Sequence, residues 1–156
     1  FDFTRQDEPI AAVAEWRRRV AEADVVVLAA PEYAGGLAGA AKNALDWLVG
    51  SGDLYRKPVA VVSAGTSGGV HARRQLVQTL TWQGAYVVAE LGISAPRTKS
   101  DQRGDIADPE TLDAIAALAA AALEAPELEG AELAHVASGV VVSLGVDVTH
   151  VAPPAA

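Results

Sequence analysis

The stretch at residues 24–48, DVVVLAAPEYAGGLAGAAKNALDWL, constrains the fold more than any other part of the chain. Residues 25–29 form an unbroken apolar run rich in β-branched side chains. Such a run suits a parallel strand covered on both faces. Pro31, Glu32, Tyr33, Ala34, Gly35 and Gly36 follow, a turn whose glycines let the backbone come close to a ligand. A helix is then expected over residues 38–49, with Leu45 and Leu48 at helical spacing and Trp47 beside them. Strand, Gly-rich loop and helix, in that order, place a ligand at the carboxyl end of a parallel strand.

The same unit recurs. Pro58 opens a strand over residues 59–63, and Ser63, Ala64, Gly65, Thr66, Ser67, Gly68 and Gly69 make a second Gly-rich turn at its carboxyl end. A helix over residues 70–83 stops at Gly84. Residues 85–91 are a third strand-like run, and residues 93–105 a polar loop. Asp108, Pro109 and Glu110 give a helix start, with cap, proline and an acid in the first turn. That helix runs to about residue 125. An earlier helix, capped by Asp7 and opened by Pro9, carries a largely apolar stripe of Ile10, Val13, Ala14, Arg17, Val20 and Ala21. Residues 8–125 therefore alternate helix and strand, which implies an α/β fold with a parallel sheet and helices on both faces.

A chain of 156 residues, 51% hydrophobic, is expected to be one globular domain with a real core. Its net charge of −8 argues against a nucleic-acid partner. No apolar run approaches the roughly 20 residues that span a bilayer, and no leader-like segment is seen. No membrane association and a cytoplasmic location are the corresponding expectations. Cysteine is absent, which excludes disulfides, thiolate catalysis and Cys-zinc sites. Methionine is absent too, so Phe1 is expected to be a processed or truncated start.

His71, His135 and His150 lack metal-ligand spacing, so no metal is expected and solvated surface histidines are the reading. Residues 65–69 also satisfy the G-x-S-x-G pattern of a nucleophile elbow, between a strand and a helix. A serine hydrolase using Ser67 is thus one reading, with Asp101, Asp105 or Asp108 and then His135 or His150 completing the order. Arg73 and Arg74 are expected on a helix surface. Trp16, Trp47 and Trp82 each fall on an expected helix, with core or subunit packing as their role.

Pro31, Glu32, Tyr33 and Gly35, followed by Lys42, Asn43, Ala44, Asp46 and Trp47, resemble the PEYN-G and KNA-DW motifs of the NADPH-dependent FMN reductase family. The family has Asn where this chain has Ala34, which removes a side-chain amide near the flavin. The resemblance covers about residues 1–123. It implies a flavodoxin-like three-layer sandwich with FMN at the carboxyl edge of the sheet. It further implies that Pro31, Glu32, Tyr33, Ala34, Gly35 and Gly36 cradle the flavin. Ser63, Ala64, Gly65, Thr66, Gly68 and Gly69 would form the second flavin contact. NADPH or NADH would be the electron donor, a small molecule such as a quinone the acceptor, and a homodimer or homotetramer the assembly. No catalytic side chain is proposed, because hydride passes from nicotinamide to flavin and the protein supplies position and electrostatics. Glu32 is read as structural.

The family's order of strands is 2-1-3-4-5, and the strands found here correspond by resemblance to 3, 4 and 5. Strand 1 and its phosphate-cradling loop have no match in the chain. Two expectations follow. The chain is a partial flavodoxin-like domain over residues 1–125, leaving an apolar sheet edge. Alternatively, a strand at residues 140–144, within a tail of residues 126–156, fills the central slot. Gly145 and Val146 are too few for a parallel crossover to the weaker run at residues 147–151, so the two runs are expected to be a hairpin, one long strand or a disordered end. A flavin-free domain with a structural or partner-binding role is the alternative to an oxidoreductase.

Overall fold

The computed structural model describes residues 1–5 and 10–146. Its first helix, α1 (Ala11–Glu22), leads into strand β1 (Val26–Ala29). A short hairpin follows, β2 (Glu32–Tyr33) and β3 (Gly36–Leu37), and then helix α2 (Gly39–Asp46). Strand β4 (Pro58–Gly65), helix α3 (Val70–Trp82) and strand β5 (Tyr86–Ser94) come next. Helices α4 (Pro109–Glu124) and α5 (Gly130–Ser143) complete the described chain. The expected cap by Asp7 and the run at residues 147–151 lie outside the described residues.

Strands β1, β4 and β5 form one parallel sheet in that order. Alternation along β4 divides its neighbours between two faces. Val59 and Val61 are fully buried against Val20 of α1, Leu45 of α2 and Leu76, Val77 and Leu80 of α3. Ala60 faces the other way, against Leu118 and Ala122 of α4. Helices thus cover both faces, as the alternation of elements requires. Leu54, in the connector before β4, is 1% exposed and joins the first of these cores.

The helix ends follow from the sequence. Asp108 caps α4, its carboxylate accepting the Thr111 N–H at 3.0 Å. Gly84, at φ +74°, ends α3: its N–H reaches the Thr81 carbonyl and that of Ala85 reaches the Leu80 carbonyl. These two bonds form a Schellman motif.

Two expectations are overturned. Residues 140–144 are not a strand: Val140 to Ser143 are the last turn of α5, which packs along β5. Residues 140–144 therefore do not fill a central slot in the sheet. Leu133, Ala137, Val141 and Leu144 recur at helical spacing and are all buried. That face decides the matter over the β-branched run Val140–Val142, whose Val142 is exposed. Gly145 at φ +61° is a helix stop, not a hairpin turn. Its N–H bonds the Val142 carbonyl and that of Val146 bonds the Val141 carbonyl, again a Schellman pair.

The second correction concerns β1. Val27 is 53% exposed because α4 lies over β4 and β5, so this strand is not covered on both faces. Among the described residues β1 pairs only with β4. Its other edge carries no strand among the described residues.

Candidate functional site

Both Gly-rich turns lie at the carboxyl edge of the sheet, one after β1 and one after β4. The first is folded more tightly than a simple loop. Glu32 pairs with Leu37 and Tyr33 with Gly36 as an antiparallel hairpin. Ala34 and Gly35, its two turn residues, have φ +51° and +70°. Positive φ at both central positions is the type I′ geometry that favours Asn-Gly. Tyr33 is 67% exposed.

This hairpin is bound to α3 by side chains. The Glu32 carboxylate accepts the backbone N–H groups of His71 at 2.7 Å and Ala72 at 3.1 Å. Gln75 Oε1 accepts the Leu37 N–H at 2.7 Å. Gly36 packs against the same Gln75 amide, which a Cβ there would meet at 3.4 Å. Both strands of the first turn are thereby fixed to the helix that the second turn begins. Glu32 is a cap, as a structural reading of it requires, and Gln75 is a partner that the sequence reasoning did not single out.

In the second turn, Gly68 N–H bonds the Gly65 carbonyl at 3.2 Å, and Ala95 N–H bonds the same carbonyl at 2.9 Å. Gly68 and Gly69 both have positive φ. Ser63 sits beneath them, 1% exposed, with its hydroxyl lacking a protein partner. A Cβ on Gly69 would lie 2.1 Å from that hydroxyl oxygen, so only glycine fits. Among the described residues Thr66 and Ser67 make no hydrogen bond within the protein, and both are exposed. Ala64 is exposed as well. The turn thus offers free backbone donors and, beneath its two buried glycines, one orphaned hydroxyl. Those features fit a planar, acceptor-rich heterocycle such as a flavin.

Arg73 departs from its expected place on a helix surface: its side chain is 13% exposed and paired with Glu90. Arg74 is exposed. Trp16 donates its indole N–H to the Ala44 carbonyl at 3.0 Å, joining α1 to α2. Trp47 ends α2 edge-to-face with Phe1 at 5.0 Å. Trp82 is 58% exposed at the end of α3. Lys42 and Asp46 of the KNA-DW motif pair with each other along α2 at 2.5 Å.

The other chemistries find less support. His71 and His135 are exposed, and His150 lies outside the described residues. Ser67 bonds neither a histidine nor a carboxylate among the described residues. No group of three or more His, Cys, Asp or Glu side chains there could hold a metal ion. None of the described helices is long and apolar enough to cross a membrane.

The model of the NADPH-dependent FMN reductase family matches residues 2–99. An NADH-dependent flavin reductase subunit from Lactobacillus johnsonii is 33% identical over 125 residues, covering 72% of this chain and 68% of its own. A quinone reductase of Escherichia coli is 33% identical over 117 residues, covering 70% and 62%. Among solved structures, the flavoenzyme NAD(P)H:(acceptor) oxidoreductase FerB from Paracoccus denitrificans has the same fold. Its TM-score is 0.63 at 23% identity, over 78% of this chain and 71% of that one. This chain spans between 31% and 68% of the length of the curated relatives it matches. With the motifs, the parallel sheet and the family match in agreement, the chain belongs to the NADPH-dependent FMN reductase family.

Proposed function

We propose that the chain is the flavin-binding part of an NAD(P)H-dependent oxidoreductase. FMN would lie at the carboxyl edge of the sheet, between the hairpin of residues 31–36 and the turn of residues 63–69. The observation that carries this reading is the attachment of both turns to α3, through Glu32 and Gln75 on one side and the Gly69 start of the helix on the other. When bound, the flavin accepts a hydride from the nicotinamide and passes the electrons on. With a quinone as acceptor, NAD(P)H, a proton and the quinone yield NAD(P)⁺ and the hydroquinone. The protein's part is placement. Thr66 and Ser67 present N–H donors, and the buried Gly68 and Gly69 let the turn pack down onto Gly92 and Ser63. The exposed Tyr33 ring supplies an apolar flank. A small acceptor, a homodimer or homotetramer and a cytoplasmic location belong to the same proposal.

The β1 edge favours one rival, a flavin-free domain that binds a partner, because exposed Val27 and the edge of β1 turned away from β4 offer surface for another chain. A visible spectrum of the purified protein and an FMN titration followed by flavin fluorescence separate the two. Micromolar or tighter binding is expected, followed by NADH or NADPH oxidation with a quinone. No quenching at millimolar FMN would overturn the oxidoreductase reading and leave the partner-binding one.

A further inference from the structure

The second Gly-rich turn is held by more than its own backbone. Arg73, on the second turn of α3, donates from Nε to the Gly68 carbonyl at 3.0 Å. The same guanidinium donates from Nη1 to Glu90 on β5. The two side chains are 13% and 20% exposed, so this pair is far from a solvated surface contact. Gly92 completes the seat. A Cβ at Gly92 would lie 2.7 Å from Arg73 Cζ and Nη2 and 2.7 Å from the Gly68 carbonyl oxygen. Gly68, at φ +68°, is in turn pressed against the Gly92 backbone, 3.3 Å from its carbonyl carbon to a Cβ built there. An arginine from α3 therefore holds the Gly68 carbonyl, a carboxylate from β5 holds the arginine, and Gly92 leaves room for the guanidinium and the carbonyl.

We infer that Arg73 is a positioning residue for the turn at residues 65–69, with Glu90 aiming its guanidinium and Gly92 admitting it. The inference rests on the flavin reading only for what the turn is positioned to do. Fixing the Gly68 carbonyl toward Arg73 sets the orientation of the peptides on either side of it. The neighbouring Thr66 and Ser67 N–H groups are thereby kept in one arrangement and out of the turn's own bonding. An arginine is needed because its planar fork bonds the carbonyl and the carboxylate at once. A lysine in its place carries the charge but only a point of contact.

The test compares the wild-type protein with Arg73→Lys and with the double variant Arg73→Met/Glu90→Leu. Two readouts are taken on each, amide hydrogen exchange by mass spectrometry and FMN affinity by fluorescence, together with Tm. In Arg73→Lys, exchange at the Gly68 amide, which is bonded to the Gly65 carbonyl, is expected to rise about tenfold, and the FMN Kd to rise by a similar factor. Exchange in β4 and β5 should stay as in the wild type. The double variant removes both charges together, so neither is left buried without its partner and its Tm should stay close to that of the wild type. Its fast exchange at Gly68 and weak FMN binding should persist. Wild-type exchange at Gly68 in Arg73→Lys overturns the inference. So does a double variant with wild-type exchange at Gly68, since Arg73 would then not hold the turn. If the wild-type protein binds no FMN, the flavin reading fails, and the exchange comparison still decides whether Arg73 holds the turn.

Discussion

The Glu32 carboxylate accepts the backbone N–H of His71 at 2.7 Å, capping a helix from a different βα unit. The same oxygen takes the Ala72 N–H at 3.1 Å. The cap position of that helix is Gly69, which has no side chain to offer. The first Gly-rich turn therefore supplies what the second lacks, and the two turns are fixed as one unit. Glu32→Ala should cost about 1 kcal/mol in urea unfolding, the usual loss for a removed cap. Glu32→Gln keeps an acceptor and loses only the charge favoured at a helix N-terminus, roughly 0.3–1 kcal/mol. Turnover should follow these stabilities. Full loss of turnover in a stable Glu32→Gln protein would give Glu32 a chemical role instead.

At Ala34 the departure from the family motif has a conformational meaning. An alanine at φ +51° sits where left-handed backbone costs an L-residue roughly 1–2 kcal/mol, and asparagine tolerates that region better. Ala34→Asn should therefore stabilise the protein by about 0.5–1 kcal/mol, measured as a shift in the urea midpoint. FMN affinity should change no more than the turn's added order accounts for. A gain in affinity of about a hundredfold without a stability gain would mean that the amide touches the flavin.

The alternation of elements, both Gly-rich turns, the Asp108 cap and the Gly84 stop could all be read from the chain, because each rests on local chemistry. The hairpin at residues 32–37 could not. Its signal is an Asn-Gly pair, and Ala34 erases half of it. The last helix was misread because Val140, Val141 and Val142 favour a strand locally. The helical repeat of Leu133, Ala137, Val141 and Leu144 appears only in a longer window. Arg73 was placed on the surface because two adjacent arginines usually are solvated. Its partner Glu90 lies on a strand that only the fold brings near, and Gln75 was passed over for the same reason.

Ser63 gives a separate test of the site. Its hydroxyl is buried and lacks a protein partner, which costs about 1–3 kcal/mol when no solvent or ligand satisfies it. Ser63→Ala should leave the flavin-free protein at least as stable as the wild type, within about 1 kcal/mol on the favourable side. If the hydroxyl bonds the cofactor, the same change should weaken FMN binding about tenfold. Isothermal titration and thermal melts of both proteins, with and without FMN, give the comparison. A destabilised Ser63→Ala without FMN would show that the hydroxyl has a partner in the free protein.

The open side of β1 bears on behaviour in solution. Val27 is 53% exposed on a strand paired only with β4 among the described residues. An apolar, unpaired edge is a template for association, and lysine on such an edge opposes it. Val27→Lys should reduce concentration-dependent assembly in sedimentation velocity while leaving the melting temperature close to that of the wild type. Unchanged assembly would place any contact between copies elsewhere on the surface.

Acid should loosen α4 through Asp108. The Thr111 hydroxyl, at 2.6 Å, and then the Thr111 N–H hold this carboxyl below its ordinary value of 3.8. A depressed value in the folded state means that the charged form is favoured there. The resulting stabilisation is complete above the ordinary value and is lost as pH falls through the lower, folded one. Asparagine caps as well as aspartate but does not titrate. Urea midpoints measured from about pH 6 down to about pH 2.5 should therefore fall less steeply for Asp108→Asn than for the wild type. The two curves should run parallel above about pH 5, where the carboxylate is fully charged in both states, with the wild type the more stable. Parallel curves through the acid limb would mean that Asp108 does not couple the start of α4 to pH. The acid loss would then belong to other carboxylates, such as Glu15, which Arg18 and Arg19 hold at about 2.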